Sequence, residues 1–308
     1  MWLMVASENG MPGMERAAQI LGEGGTALDA VEAGIRLAES NAQDDGVGMG
    51  GLPNVLGQVE LDASIMDGRT LAAGAVGALQ GYGHPISVAR CVMERTAHVL
   101  LVGEGASRFA AEMGFSPCEL LTEDARRKWR EYLQQFIAEE EIDSIGDRQD
   151  LVSVVKEIMQ EWLHRGTVNF LAHDSHGDIA CAVSTSGWPL KYPGRLGDSS
   201  IIGAGNYADN RYGAAACTGY GELAIRTGTT RSVVLYMKAG MSVADACQEA
   251  MRDLQPLLAA SGGAMSIVAM DRDGHPFGIT SVPEGERYLV MTAELSAPEF
   301  RQAVCFSV

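Results

Sequence analysis

The residues with chemical potential gather in one stretch. Gly166-Thr167-Val168 leads to Ser184-Thr185-Ser186-Gly187, then to Gly194-Arg195-Leu196-Gly197-Asp198-Ser199 and Gly203-Ala204-Gly205. Tyr207-Ala208-Asp209-Asn210 and Cys217-Thr218-Gly219-Tyr220-Gly221-Glu222 continue it. Any one of these threonines alone reads as an ordinary strand or turn residue. Together they set hydroxyls beside glycine-flanked loops and two opposite charges, the equipment of a site for a polar small molecule. Taken by themselves, Arg195 and Asp198 read as a surface ion pair across a glycine turn.

Other motifs carry less. Gly46-Val47-Gly48-Met49-Gly50-Gly51 matches G-x-G-x-x-G, but a dinucleotide site needs a strand before it and a helix after it. Here Glu39 to Asp45 end a helix and Pro53 follows, so the nucleotide reading fails. His173 and His176, with His164 upstream, could be imagined as zinc ligands. Two of them flank a hairpin turn, and no H-x-x-x-H pair or cysteine cluster joins them, so they read as solvated histidines and no metal is expected. The six cysteines, Cys91, Cys118, Cys181, Cys217, Cys247 and Cys305, lie far apart without a C-x-x-C pair and read as buried thiols. There is no G-x-S-x-G elbow.

The elements that position these residues follow from local pattern. Thr26 is placed to cap a helix with Leu28, Val31 and Ile35 on one face and Asp29 and Glu32 near its positive end. After the glycine-rich loop, Val59, Leu61 and Ala63 alternate with Glu60, Asp62 and Ser64, the period of a strand. Pro85 to Arg95 reads as a helix with proline in its first turn. Residues 123–163 hold two helical patterns, interrupted by charged residues at 139–148, with no strand candidate; this is the main internal boundary. Val168 to His173 and Asp178 to Ser184 then read as a hairpin about an Asp-Ser-His-Gly turn. Ser242 with Asp245 caps a helix whose face is Val243, Ala246, Cys247, Ala250 and Leu254. Met265 to Met270, Phe277 to Ser281 and Tyr288 to Thr292 are closing strands. No repeat or low-complexity segment is visible.

Composition bounds the partners. The 308 residues fit one large α/β domain or two packed halves, and 46% hydrophobic with 20% charged residues marks a globular chain. The formal net charge of −17 repels a phosphate backbone, so nucleic acid is excluded as the main partner. No apolar stretch approaches the ~20 residues needed to span a bilayer. Met1 to Ser7 lack the basic start of a secretory signal, which makes a cytoplasmic location the expectation.

Residues 166–222, and more loosely most of the chain, resemble the glycosylasparaginase and isoaspartyl peptidase/asparaginase family of N-terminal nucleophile hydrolases. Gly24 to Glu32 looks like the family's early helix. Gly48-Met49-Gly50-Gly51-Leu52-Pro53 and Leu61 to Gly68 resemble the glycosylasparaginase branch more than the other. The resemblance implies a four-layer αββα sandwich over residues 1–308, made as a precursor that cuts itself at Gly166–Thr167 into an α chain (1–166) and a β chain (167–308). Thr167 would become an N-terminal nucleophile whose own α-amine, ordinarily of pKa ~7.7–8.0, serves as base. Thr185 corresponds to the threonine that tunes it, and the Thr218 hydroxyl and Gly219 N–H to an oxyanion hole. Arg195 corresponds to the clamp on the substrate α-carboxylate. Asp198, with a carbonyl near Gly221, corresponds to the receptor of the α-ammonium.

The implied reaction is hydrolysis of the β-amide of an N4-substituted asparagine through an ester on Thr167, without a cofactor, in a homodimer of (αβ) units. Isoaspartyl peptide or plain asparagine hydrolysis is the alternative within the class, and a non-cleaving binding homologue the alternative outside it. Departures lie on the leaving-group side. Where glycosylasparaginases carry a Thr-Trp pair this chain has Ser7-Glu8-Asn9-Gly10, Trp2 lying too early to replace it. Gly46 stands for a serine and Gly166 for an aspartate, the latter as in isoaspartyl peptidases. Glu8 is then a candidate selector of cationic leaving groups.

Overall fold

The computed structural model describes residues 1–161 and 166–308. Strand β1 (Leu3–Ser7) leads into helices α1 (Met11–Gly22) and α2 (Ala27–Glu39), then β2 (Leu61–Asp67) and β3 (Ala73–Leu79). Next come α3 (Pro85–Arg95), β4 (Leu100–Val102), α4 (Gly103–Glu112), α5 (Glu123–Leu133), α6 (Glu139–Ile142) and α7 (Leu151–Glu161). Strands β5 (Thr167–His173), β6 (Ile179–Thr185), β7 (Asn206–Asp209) and β8 (Gly213–Gly219) precede α8 (Gly221–Thr227), α9 (Thr229–Lys238) and α10 (Val243–Ser261). The chain closes with β9 (Met265–Asp271), β10 (Pro276–Thr280), β11 (Arg287–Thr292), β12 (Glu299–Gln302) and β13 (Val304–Cys305).

Two mixed sheets result. One has the order β12-β11-β1-β5-β6-β2-β3-β4 and the other β13-β10-β9-β8-β7. Alternate strand residues point to opposite faces, and in both sheets the central strands are covered on both faces, while the edge strands β4, β12 and β13 are largely exposed. Met4, Ala6, Ala63, Ile65 and Phe170 pack with α1, α2 and α3, whereas Leu3, Val5, Leu171 and Cys181 meet Ala214, Ala216, Val268 and Met270 of the second sheet. On that sheet's other face Ala215, Cys217, Ile267 and Ala269 pack with Val233, Val234, Ala246 and Leu254 of α9 and α10. Phe170 is fully buried against Gly10 and Gly34, whose missing Cβ atoms make room for its ring. Burial of such a ring contributes about 1.5–3 kcal/mol and ties the middle of β5 to α2.

Local signals account for several elements. The Thr26 side chain accepts from the Asp29 N–H at 3.1 Å, and Ser242 accepts from Asp245 at 3.2 Å. The charged interruption at 139–148 contains the single turn α6, and α5 to α7 enclose a separate apolar cluster around Trp129, Leu133 and Ile158. The structure departs from the sequence reading at β2 and at the cysteines, and adds strands β7 and β8, for which the sequence offered no candidate. Glu60, Asp62 and Ser64 are buried, because β2 is covered on both faces. Strands β7 and β8 are built largely of Ala, Gly and Asn, which lack the β-branched signal. Of the cysteines, Cys181, Cys217 and Cys247 are buried, but Cys91 and Cys118 are half-buried and Cys305, on edge strand β13, is exposed.

Candidate active site

The β5–β6 hairpin sets the first contact. Its turn fixes a register in which His173 faces Ile179 and Thr167 faces Thr185; a one-residue slip would send Thr167 to the opposite face. The Thr167 hydroxyl donates to Thr185 Oγ1 at 3.3 Å, and the Thr185 hydroxyl donates in a short contact to the Gly166 carbonyl oxygen. The Gly187 N–H donates to the same Thr185 oxygen at 2.9 Å. A hydroxyl relay therefore runs from Thr167 through Thr185 to the carbonyl just before Thr167.

The glycine-rich loop backs this relay. The Gly46 carbonyl accepts from Ser186 N–H at 2.8 Å and from Thr185 Oγ1 at 3.4 Å. A Cβ on Gly46 would lie 2.3 Å from Gly166 Cα, and one on Gly166 would lie 2.4 Å from Gly46 Cα. Real Cβ atoms do not approach so closely, so the two departures singled out in the sequence form one backbone-to-backbone contact.

The loop from Thr185 to Ser199 is held from below by the polar residues at and just before β2. Both Glu60 carboxylate oxygens accept from Gly194 N–H, at 3.0 and 3.2 Å. Asp62 accepts from Gly197 N–H at 3.3 Å and from Ala78 N–H at 2.9 Å. Ser64 Oγ donates to the Ser199 carbonyl at 2.5 Å. Lys191, 1% exposed, donates to the Glu60 and Ser186 carbonyls at 3.1 Å each. Burial pulls its ammonium below the usual lysine range, opposed by the carboxylates of Asp62 and Glu60. Sequence reasoning missed Lys191; the Glu60, Asp62 and Ser64 alternation was visible but read only as a strand period.

Arg195 and Asp198 do not pair with each other as a surface ion pair. Asp198 is buried, and desolvation pushes its carboxyl up to about 6, opposed by the Cys217 thiol, which donates at 3.2 Å, and by Arg195. Gly221 leaves room for it: a Cβ there would be 2.6 Å from Asp198 Oδ1. Arg195 instead forms a side-on bidentate pair with Glu222, Nε to Oε1 at 2.8 Å and Nη2 to Oε2 at 2.7 Å. Its Cζ stacks 4.6 Å from the Trp188 ring centroid. Glu222 closes the segment singled out in the sequence but was given no role there.

Thr167 and Gly166 stand between two spaces. On one side a small pocket is lined by Thr167, Thr185, Arg195, Asp198, Gly219 and Gly221. On the other a larger, open groove is lined by Thr167, Thr218, Glu8, Asp44, Glu286 and Arg287, among others. Gly219, φ +130°, ends β8 where a Cβ would strike the Ala264 carbonyl at 2.2 Å; Thr218 lines the groove and Gly219 the small pocket. Ser7 and Asn9 also line the groove, with Ser7 N–H donating to Asn169 Oδ1 at 3.1 Å and Asn9 Nδ2 to Asp44 Oδ2 at 3.1 Å. Glu8 lies there too, but its carboxylate is taken by Arg287.

Of the rejected motifs only the glycine-rich loop reaches this site, and it does so through Gly46 as backing for the relay. Gly46 to Gly51 form a loop without a following helix, His173 ends β5, and His176 is exposed in the turn. His164 lies outside the described residues. Among the described residues no group of three or more His, Cys, Asp or Glu is arranged to hold a metal ion. None of the described helices is long and apolar enough to cross a membrane.

A family model described as asparaginase matches residues 10–285. The chain belongs to the asparaginase family of amidohydrolases. It is 38% identical over 277 residues to an N(4)-(β-N-acetylglucosaminyl)-L-asparaginase of Elizabethkingia miricola, covering 88% of this chain and 76% of that relative. It is 37% identical over 275 residues to a plant-type L-asparaginase of Pyrococcus furiosus, covering 89% and 86%. An isoaspartyl peptidase of Salmonella typhimurium is 38% identical over 264 residues, covering 85% and 80%. The similar identities leave the two family branches to be distinguished by their sites.

Proposed function

We propose that this asparaginase-family chain cuts itself between Gly166 and Thr167 and then hydrolyses the β-amide of asparagine derivatives that carry free α-amino and α-carboxylate groups. The observation that carries this reading is the hydroxyl relay ending on the Gly166 carbonyl. As Thr167 Oγ1 attacks that carbonyl carbon, its proton passes to Thr185 and the Thr185 proton to the carbonyl oxygen. Breaking the Gly166–Thr167 C–N bond, with a proton returned to nitrogen, leaves an ester that water opens to a Gly166 carboxylate and a free Thr167 amine. The alternating cores on both faces of both sheets support the αββα sandwich in one unit of residues 1–308, with 1–166 and 167–308 as its two chains.

Turnover repeats the chemistry on substrate. The Thr167 amine, partly neutral near pH 7.7–8.0 at its ordinary pKa of ~7.7–8.0, accepts the hydroxyl proton as oxygen attacks the β-amide carbon. The Thr218 hydroxyl and Gly219 N–H receive the developing oxyanion. The leaving amine takes the proton back from the Thr167 ammonium, and water hydrolyses the β-aspartyl ester to release aspartate. Arg195 and Asp198 hold the zwitterionic end in the small pocket, and the N4 substituent projects into the groove. Isoaspartyl peptides and plain asparagine offer the same zwitterionic end, so they compete as substrates. Mass spectrometry of purified protein, followed by assay of aspartate released from asparagine, β-aspartyl dipeptides and glycosylasparagine, tests the reading.

A further inference from the structure

An acidic residue in contact with the arginine that must receive an anion calls for a reason. Glu222 brings negative charge beside the place assigned to the substrate α-carboxylate, and by Coulomb attraction alone a site for that anion would do better without it. Guanidinium, however, has two edges able to bind a carboxylate bidentately. Glu222 occupies the Nε–Nη2 edge, at 2.8 and 2.7 Å. The Nη1–Nη2 end remains.

That end is directed toward the small pocket. A Cβ on Gly187 would be 3.4 Å from Arg195 Nη1, and one on Gly197 would be 3.1 Å from it. Both glycines line the pocket with Thr167 and Asp198, so the space around Nη1 is kept open by two residues without side chains. The guanidinium plane is braced from its face as well. Arg195 stacks on Trp188, which leans on Tyr220 with centroids 4.7 Å apart. The Arg195 side chain is 16% exposed and that of Glu222 39%, so the carboxylate approaches from the solvent side and the cation faces inward.

Resting on the function proposed above, we infer that Glu222 is a positioning residue. It holds the Nε–Nη2 edge of Arg195 so that the Nη1–Nη2 end meets the substrate α-carboxylate. Without that hold the long side chain regains rotamers, and the energy of ordering it is drawn from substrate binding. The opposite role is a plug, in which the Glu222 carboxylate competes with substrate for the cation. The two roles predict changes of opposite sign.

The test uses wild-type, Glu222→Gln, Arg195→Lys and double-variant proteins, each shown by intact mass to be processed, with L-aspartate binding measured by calorimetry and asparagine turnover measured in parallel. Glu222→Gln is expected to weaken aspartate binding by about tenfold, the scale of a lost charge-assisted hydrogen bond. KM for asparagine should rise with it while kcat changes less than about twofold. In the Arg195→Lys background the same substitution should have little further effect, because Glu222 acts through Arg195. Tighter aspartate binding by Glu222→Gln would establish the plug instead, and additive losses in the double variant or a fall in kcat at constant KM would also overturn the inference. If the wild type neither binds aspartate nor releases it from asparagine, the proposed function fails and Glu222 falls with it. If the wild type does both and Glu222→Gln binds aspartate normally, only the Glu222 inference fails.

Discussion

The two sides of Thr167 are built in different ways. The small pocket draws its polar side chains from residues 166–221, close in sequence and held by a hairpin register and by β2 beneath it. The groove takes Asn169 and Thr218 from the same block but adds remote segments, Ser7 to Asn9, Asp44 and Glu286 to Tyr288. The segments at 7–9 and 286–288 meet Asn169 because β11, β1 and β5 are neighbours in one sheet, and Asp44 joins them through its hydrogen bond from Asn9. Under the proposed function, the residues assigned to the shared part of a substrate lie in a compact sequence block, while most of those assigned to the variable part come from segments that only the tertiary fold brings together. Changes in the first should alter every substrate alike; changes in the second should sort substrates from one another.

The largest expected effect removes what both sides share. Thr167→Ala should leave the chain uncut and inactive, as seen by intact mass and by the absence of released aspartate. Next is the backbone contact behind the relay. Gly46→Ala puts a methyl 2.3 Å from Gly166 Cα, and an overpacking cost of about 1–3 kcal/mol would slow processing roughly 5–150-fold in a time course of fragment appearance. Normal processing would mean that Gly46 does not hold the bond to be cut.

On the small-pocket side, processed Arg195→Lys should lose about tenfold or more in kcat/KM with every substrate, since lysine keeps the charge but loses the planar fork. Asp198→Asn should also lose kcat/KM with every substrate. With its carboxyl near 6, Asp198 is ionised above that pH and able to hold an ammonium, and it becomes neutral below it. As pH falls, kcat/KM should first decline with protonation of the Thr167 amine and then more steeply below about 6, with Asp198→Asn lacking the second bend. A profile without that bend would remove Asp198 from ammonium binding.

On the groove side the smallest effect is expected. Glu8 is half-exposed and paired with Arg287, so its charge is largely compensated, and selection for cationic leaving groups should be weak. Glu8→Gln releases Arg287 and should shift relative kcat/KM only about twofold, toward β-aspartyl dipeptides with acidic second residues. A larger shift confined to basic leaving groups would restore Glu8 as a direct selector.

What could be read in advance follows the same division. The hairpin, the capped helices at Thr26 and Ser242, and the proline-led helix at Pro85 are written in short-range patterns and recur in the structure. So is the block of hydroxyls, glycines and charges from Gly166 to Glu222. Lys191 was illegible because an isolated lysine carries no sign that it will be buried on two carbonyls. Glu60 and Asp62 were legible only as part of a strand's alternation, and their burial depends on the sheet being covered on both sides. Arg287 had no local mark at all; its pairing with Glu8 depends on β11 lying beside β1.

The most direct measurement is the intact mass of purified wild-type protein before and after incubation, with sequencing of any fragment. The account predicts two chains that separate under denaturing conditions, the second beginning at Thr167, and a transient mass increase of one aspartyl group on that second chain when a slow β-aspartyl amide is turned over. A chain that stays whole after long incubation, or one that cuts elsewhere while releasing aspartate normally, would contradict it.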